Sequence, residues 1–203
     1  EHNDPTAFMN RAELRALVSE EGHSLFGHTH THQACFRSDK PLAAGADSLQ
    51  SGTRGIYLEM RDGQPMFPSG SAYAHNGFWP TSNDLLDTSL VARTTSERIE
   101  FCLNEFTLCR ERLEELLGQP SRAMSWPWGE YDSVAIEAAL LAGYEVALSM
   151  DCGANQPGTP LFALRRVKMQ GGVGVRELNR RLCIAKNPLL AGLFRKIYRV
   201  PRG

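Results

Sequence analysis

Apolar residues recur at three- and four-residue steps in four parts of the chain, which predicts four helices. The first opens at Asn10, because Glu13 three residues later completes a capping-box signal. The clearest helix begins at Thr95 or Ser96 and ends at Gly118, a residue type that commonly follows the last helical turn. The predicted helices lie at about 10–22, 95–118, 132–143 and 175–182.

Short apolar runs between these helices predict strands at 23–28, 123–126, 144–149 and 164–169. Strands that alternate with helices favour an α/β fold with a parallel sheet. The segment 35–92 is different, since it is rich in Gly, Pro, Ser and Asp and has weak periodicity. We interpret it as an insertion that contains a hairpin, with strands at 56–60 and 65–67 around Asp62-Gly63.

The composition indicates one globular domain over residues 1–203, since 42% of the 203 residues are hydrophobic. No run of 18 apolar residues exists, which argues against a membrane-spanning helix. The five cysteines are odd in number and lack a CxxC pair, so we expect reduced thiols, with Cys102 and Cys109 on the apolar stripe of the long helix. Reduced thiols favour the cytoplasm. The basic C-terminal segment makes a membrane-associated location a further expectation, and the periplasm is the alternative.

Charge is divided unevenly along the chain. Residues 1–151 hold 11 basic and 22 acidic residues, whereas residues 152–203 hold 11 basic residues and one acidic residue. The tail at 186–203 mixes apolar and basic residues, which fits either contact with an anionic membrane or a helix that docks on the body of the protein. Nucleic-acid binding is not expected, because the tail contains no recognised nucleic-acid-binding motif.

Three of the six histidines fall in the run His28-Thr29-His30-Thr31-His32. Imidazole is a common ligand of zinc, and the run follows a predicted strand, where side chains can converge on one ion. His28 and His32 are four residues apart and can face the same ion, whereas His30 points elsewhere in that arrangement. Such a pair needs a third ligand, usually a carboxylate.

A second unusual run is Trp126-Pro127-Trp128-Gly129-Glu130-Tyr131-Asp132. Tryptophan faces commonly stack on sugar rings or apolar ligands, so the run predicts a binding surface. The alternative is that one tryptophan belongs to the core and the other covers a turn.

These segments together resemble the polysaccharide deacetylase family, also called the NodB homology domain or carbohydrate esterase family 4. The histidine run is similar to the family motif H-[ST]-x-x-H, and Gly118-Gln119-Pro120 is similar to the end of its L-G-x-P helix. Pro127–Tyr131 resembles the motif P-[YFW]-G-x-Y, and Gly143-Tyr144 resembles the strand that follows. The likeness covers residues 8–34 and 95–182 in order, and residues 151–155 and 164–167 are nearest to the poly-N-acetylglucosamine de-N-acetylases.

The resemblance implies a distorted (β/α) barrel that binds a divalent metal, most simply Zn²⁺. It implies metal ligation by His28 and His32, and an oxyanion donor in the backbone N–H of Trp128. It further implies a substrate groove lined by Trp126, Trp128 and Tyr131. The carbohydrate substrate would be an acetamido sugar of a bacterial polysaccharide or glycolipid, which loses its acetyl group.

The sequence departs from the family at its first motif, T-F-D-D-G, which supplies a metal-binding aspartate and the general base. Neither that motif nor the two strands around it is found in this chain, so we expect that the natural N-terminus lies further upstream. No histidine follows His75, so the late general acid of the family is also absent.

Two other functions fit parts of the sequence. A metal-dependent phosphoesterase or amidohydrolase would use the H-x-H spacing of His28 and His30, but it needs further ligands at later strand ends. A non-catalytic carbohydrate-binding relative would keep the aromatic groove without the carboxylates.

Overall fold

The computed structural model describes residues 9–20, 22–42, 67–80, 89–167, 172 and 174–197. The helices are α1 (Arg11–Ser19), α2 (Thr95–Leu117), α3 (Ser133–Leu141), α4 (Val175–Lys186) and α5 (Pro188–Ile197). The strands are β1 (Ala34–Phe36), β2 (Ser69–Ser71), β3 (Phe78–Pro80), β4 (Leu90–Ala92), β5 (Ala123–Ser125) and β6 (Val146–Leu148). Single 3₁₀ turns lie at Pro127–Gly129 and Leu161–Ala163.

Local capping sets the helix boundaries, as the sequence predicts. Asn10 accepts hydrogen bonds from the N–H groups of Ala12 and Glu13, and the Glu13 side chain closes the capping box. Thr94 caps α2 in the same way, and Gly118 ends it in the left-handed conformation. The helix predicted to end near Gly22 stops earlier, at Ser19, and the fourth helix extends beyond residue 182 to Lys186.

The parallel sheet is shorter than the sequence predicts. Among the described parallel segments, only β5 and β6 pair as strands, while Gly27 and Leu164 join them on either side through single parallel bridges. The predicted strands at 23–28 and 164–169 are therefore reduced to these two bridges among the described residues. The parallel segments form an open sheet there, so a closed barrel stays a prediction.

The segment predicted as an insertion contributes a separate antiparallel sheet, in the order β2-β1-β3-β4. Three-residue strands are too short to produce the alternating pattern by which strands are found in a sequence. Phe36 and Phe67 form a small core beneath this sheet. The strand predicted at 56–60 and the Asp62-Gly63 turn lie outside the described residues.

The main core lies between the parallel sheet and the two helices α2 and α3. Cys102 and Cys109 are buried in or beside it, as the apolar stripe predicts, and all five cysteines are free. None of the helices in the described ranges is long and apolar enough to cross a membrane. The buried cluster comprises Tyr73, Cys102, Phe106, Met124, Trp126, Ala135, Ala138, Ala139, Ala142, Tyr144 and Ala147.

Candidate active site

The histidine run and the tryptophan run meet at one edge of the parallel sheet. The N–H of Ser125 donates to the carbonyl of Gly27 at 2.8 Å, and the N–H of Trp126 donates to the carbonyl of Leu148 at 3.1 Å. Parallel neighbours end at the same edge, so the residues that follow Gly27 and Ser125 lie side by side. In α/β folds this carboxyl edge is where ligands usually bind.

His28 is held by the neighbouring segment. Its Nδ1 lies 2.8 Å from the carbonyl oxygen of Ser125 and 2.9 Å from the Oγ of the same residue. Because a carbonyl oxygen can only accept, Nδ1 carries the proton and Nε2 keeps its lone pair. This arrangement fixes the tautomer and the ring orientation in the manner of metal-binding histidines.

His32 lies next to His28, with ring centroids 4.8 Å apart. The turn between them is strained, since Thr29 and His32 have φ values of 69° and 53°. The N–H of His32 donates to Thr29 Oγ1 at 3.0 Å, which closes the turn. Partial burial, and secondly the neighbouring His28 imidazole, lower the pKa of His32, which favours the neutral ring.

The spacing of the two rings is close to that of two imidazoles on one ion. Imidazoles that bind one tetrahedral ion at about 2.0–2.1 Å have ring centroids about 5 Å apart, close to the separation of His28 and His32. The exposed His30 makes no ring contact or hydrogen bond with either of them among the described residues. No group of three His, Cys, Asp or Glu residues is arranged to hold a metal in the described ranges, so the pair has no third ligand there.

Trp128 is the tryptophan that reaches the histidines. Its ring centroid lies 4.2 Å from that of His32. The residue adopts a left-handed conformation, with φ 53° and ψ 5°, inside the Pro127–Gly129 turn. Its backbone N–H has no acceptor among the described residues, which leaves it available for an incoming oxygen atom.

Trp126 has a different place from the one the sequence predicts. Its ring is fully buried, its Nε1 donates to the carbonyl of Phe162 at 2.8 Å, and it stacks on Tyr131 at 5.4 Å. A sugar cannot stack on a ring with no exposed face, so the expected groove role of Trp126 is wrong. The alternative that one tryptophan belongs to the core holds for Trp126. Tyr131 is partly buried against it, and Trp128 remains as the aromatic residue beside the histidines.

The sequence analysis missed a buried carboxylate that holds the histidine loop. Glu105, with 5% of its surface exposed, accepts three hydrogen bonds at one oxygen. The donors are the N–H and Oγ1 of Thr31, both at 2.9 Å, and the hydroxyl of Tyr73 at 2.8 Å. A signal was present in the sequence, because Glu105 lies on the apolar stripe of α2 between Cys102 and Cys109, where a charged residue is unexpected.

A second missed carboxylate joins the tryptophan turn to the antiparallel sheet. Glu130 accepts from the N–H of Ser71 at 2.8 Å and lies 3.2 Å from Nε2 of His75. Burial alone would raise the pKa of Glu130, but the hydrogen bonds from His75 and Ser71 outweigh it and lower the pKa. The antiparallel sheet therefore supports the turn that carries Trp128.

No protein-family model matches this sequence, and no curated protein matches it. Among solved structures, the chain is similar to a de-N-acetylase from Aggregatibacter actinomycetemcomitans, with a TM-score of 0.57 and 15% identity over 86% of this chain. It is also similar to the BpsB deacetylase domain from Bordetella bronchiseptica, with a TM-score of 0.55 and 18% identity over 78% of this chain. The chain spans about half the length of these structures, 53% and 48% respectively. The described residues therefore have the mixed α/β fold of solved deacetylase structures.

Proposed function

We propose that this protein is a metal-dependent deacetylase that removes the acetyl group from an acetamido sugar of a bacterial polysaccharide or glycolipid. The observation that carries the proposal is the pair His28 and His32, with rings 4.8 Å apart beside Trp128. The similarity of the fold to two solved deacetylases supports the same reaction class. Two of the motifs quoted for the polysaccharide deacetylase family, the histidine run and Pro127–Tyr131, lie at this same edge of the sheet.

In this proposal, different residues of the chain have different roles in amide hydrolysis. His28 and His32 would hold a divalent ion, most simply Zn²⁺, and His28 would bind it through Nε2, since its Nδ1 faces the carbonyl oxygen of Ser125. When bound, the ion supplies polarisation of the amide carbonyl and activation of water. The free N–H of Trp128 donates to the oxygen that becomes negatively charged as the carbonyl is attacked, and its ring packs against the sugar.

The third metal ligand and the general base belong, in this proposal, to carboxylates outside the described residues. Two histidines leave a tetrahedral ion with two open positions, and catalytic zinc sites usually fill one of them with a further protein ligand. A carboxylate base near the ion would take the proton of the attacking water.

Metal content is the direct test of the site. After loading with Zn²⁺ and desalting, wild-type protein should retain the ion, while His28→Ala and His32→Ala should weaken its affinity at least about tenfold. His30→Ala is the matched control, because it removes a neighbouring exposed imidazole that makes no contact with the pair. Equal metal retention in all four proteins would refute the assignment.

Activity separates the deacetylase from a non-catalytic relative. Acetate release from oligomers of N-acetylglucosamine should depend on added Zn²⁺ and should be lost in His28→Ala. If the protein binds both the ion and the oligomer but releases no acetate, it is a non-catalytic carbohydrate-binding relative rather than an enzyme. If the ion requires His30 as well as His28, the H-x-H hydrolase alternative is favoured.

A further inference from the structure

The two C-terminal helices carry apolar side chains that remain exposed. Leu189 on α5 has 84% of its surface exposed, and Val175 on α4 has 73%. On α4 these residues are three or four positions apart, and on α5 Leu189 and Leu190 lie four and three positions before Leu193, which places each set on one side of its helix. The exposed set is Val175, Leu178 and Leu182 on α4, with Leu189, Leu190 and Leu193 on α5.

The same two helices are strongly basic. Residues 175–197 contain six basic residues and one acidic residue, Glu177. Glu177 is already bound by Arg180 and Arg181, each at 2.7 Å, so the remaining basic residues have no acidic residue within these helices to neutralise them. An apolar face flanked by basic residues is typical of helices that lie on anionic lipid.

Small residues attach the helix pair to the body of the protein and leave the leucines outside. Ala185 and Ala191 are both buried. The N–H of Ala154 donates to the carbonyl of Ala185 at 3.0 Å, and Gly153 packs next to Ala191. The helices thus dock on the body through their alanines, and their leucines are available to another surface.

We infer that the exposed face of α4 and α5 binds an anionic phospholipid surface. Leucine side chains enter the boundary between headgroups and acyl chains, while the exposed Arg176 and Lys186 meet the lipid phosphates. The helix pair attaches at Gly153-Ala154, and Met150 lies shortly before this point in the chain. Met150 packs against Gly129, which belongs to the turn that carries Trp128. Docking therefore brings the candidate active site near the membrane, which, if the proposed function holds, favours a lipid-linked sugar as substrate.

Sedimentation with vesicles tests the docking without any substrate or metal. The full chain should bind vesicles of phosphatidylglycerol and phosphatidylcholine at least about tenfold more tightly than vesicles of phosphatidylcholine alone. Raising the salt from about 0.1 M to about 1 M should remove most of this preference, because the screening length falls from about 10 Å to about 3 Å. Replacement of both Leu189 and Leu193 by Asn should weaken binding at least about tenfold.

The matched control replaces Leu140 and Leu141 by Asn, since these leucines of α3 are also exposed, by 54% and 64%. This variant should bind vesicles as wild type does. Circular dichroism checks that each variant stays folded, and the salt dependence of the wild type tests the proposal without any variant. Equal binding to neutral and anionic vesicles, or equal loss in both leucine variants, would overturn it. If the protein self-associates and buries Leu189 and Leu193, the partner of this face is a second copy of the chain, and the proposed binding to phospholipid is wrong.

Discussion

At the scale of single residues, the candidate site depends on side chains that hold the histidines rather than on the histidines alone. His28 takes its orientation from Ser125, and the loop that carries His32 is held by Glu105 through Thr31. These partners lie 97 and 74 positions away along the sequence. Preorganised ligands of this kind bind a metal without a further cost of ordering.

Glu105→Ala should therefore damage both folding and metal binding. The change leaves the N–H and hydroxyl of Thr31 and the hydroxyl of Tyr73 without their shared acceptor, which should lower the free energy of unfolding by about 3 kcal/mol. Denaturant titration measures this loss, and Zn²⁺ titration should show weaker affinity. Glu100→Ala, an exposed change on the same helix, is the control. An effect of Glu105→Ala no larger than that of Glu100→Ala would contradict the role.

At the scale of elements, the 3₁₀ turn at Pro127–Gly129 sets the position of Trp128. It connects β5 to α3, and both Trp128 and Gly129 have positive φ values. Gly129 lies against the side chain and backbone of Met150, in the segment that follows β6. The turn is therefore fixed by a close approach between two segments as well as by its own conformation.

Gly129→Ala should move this turn, and Gly158→Ala provides the comparison. Both glycines have positive φ, 74° and 87°, so the backbone strain of an alanine is similar at the two positions. A Cβ at Gly158 meets nothing within 4 Å, whereas one at Gly129 collides with Met150. We expect Gly129→Ala to cost about 2 kcal/mol more than Gly158→Ala in thermal or denaturant unfolding. Equal costs would show that the contact with Met150 is easily relaxed.

At the scale of the whole molecule, the antiparallel sheet and the parallel sheet meet through a few polar contacts. The largely buried pair His75 and Glu130 joins them near the candidate site. Arg98 of α2 makes a second link, since it donates to the carbonyl of Tyr73, just after β2, at 3.5 Å and to Asp132, the N-cap of α3, at 2.8 Å. Changes in the antiparallel sheet are therefore expected to reach the turn that carries Trp128.

The Glu130 link predicts how stability depends on pH. The folded-state pKa of Glu130 lies below its usual value of 4.5. The ionised Glu130 therefore contributes fully to the free energy of unfolding above pH 4.5, and this contribution is lost as the pH falls through the folded-state pKa. The difference in unfolding free energy between wild type and Glu130→Gln should shrink as the pH falls from about 6 to about 3. Glu137→Gln, at an exposed position of α3, should show no such trend. A difference that stays constant over this range would contradict the predicted linkage.

The sequence by itself determined the helices α1 to α4, their order and the two motif runs, whereas for the tail that contains α5 a docking helix was one of two interpretations. Capping signals such as Asn10 with Glu13, Thr94 with Glu97, and Gly118 act over three or four residues, so they can be read locally. The tertiary structure decided which side chains come together. It pairs His28 with His32 apart from His30, buries Trp126 while leaving Trp128 beside the histidines, and places Glu105 and Glu130 as supports. Those choices depend on contacts between residues far apart in the chain, and no local pattern encodes which distant partner a side chain meets.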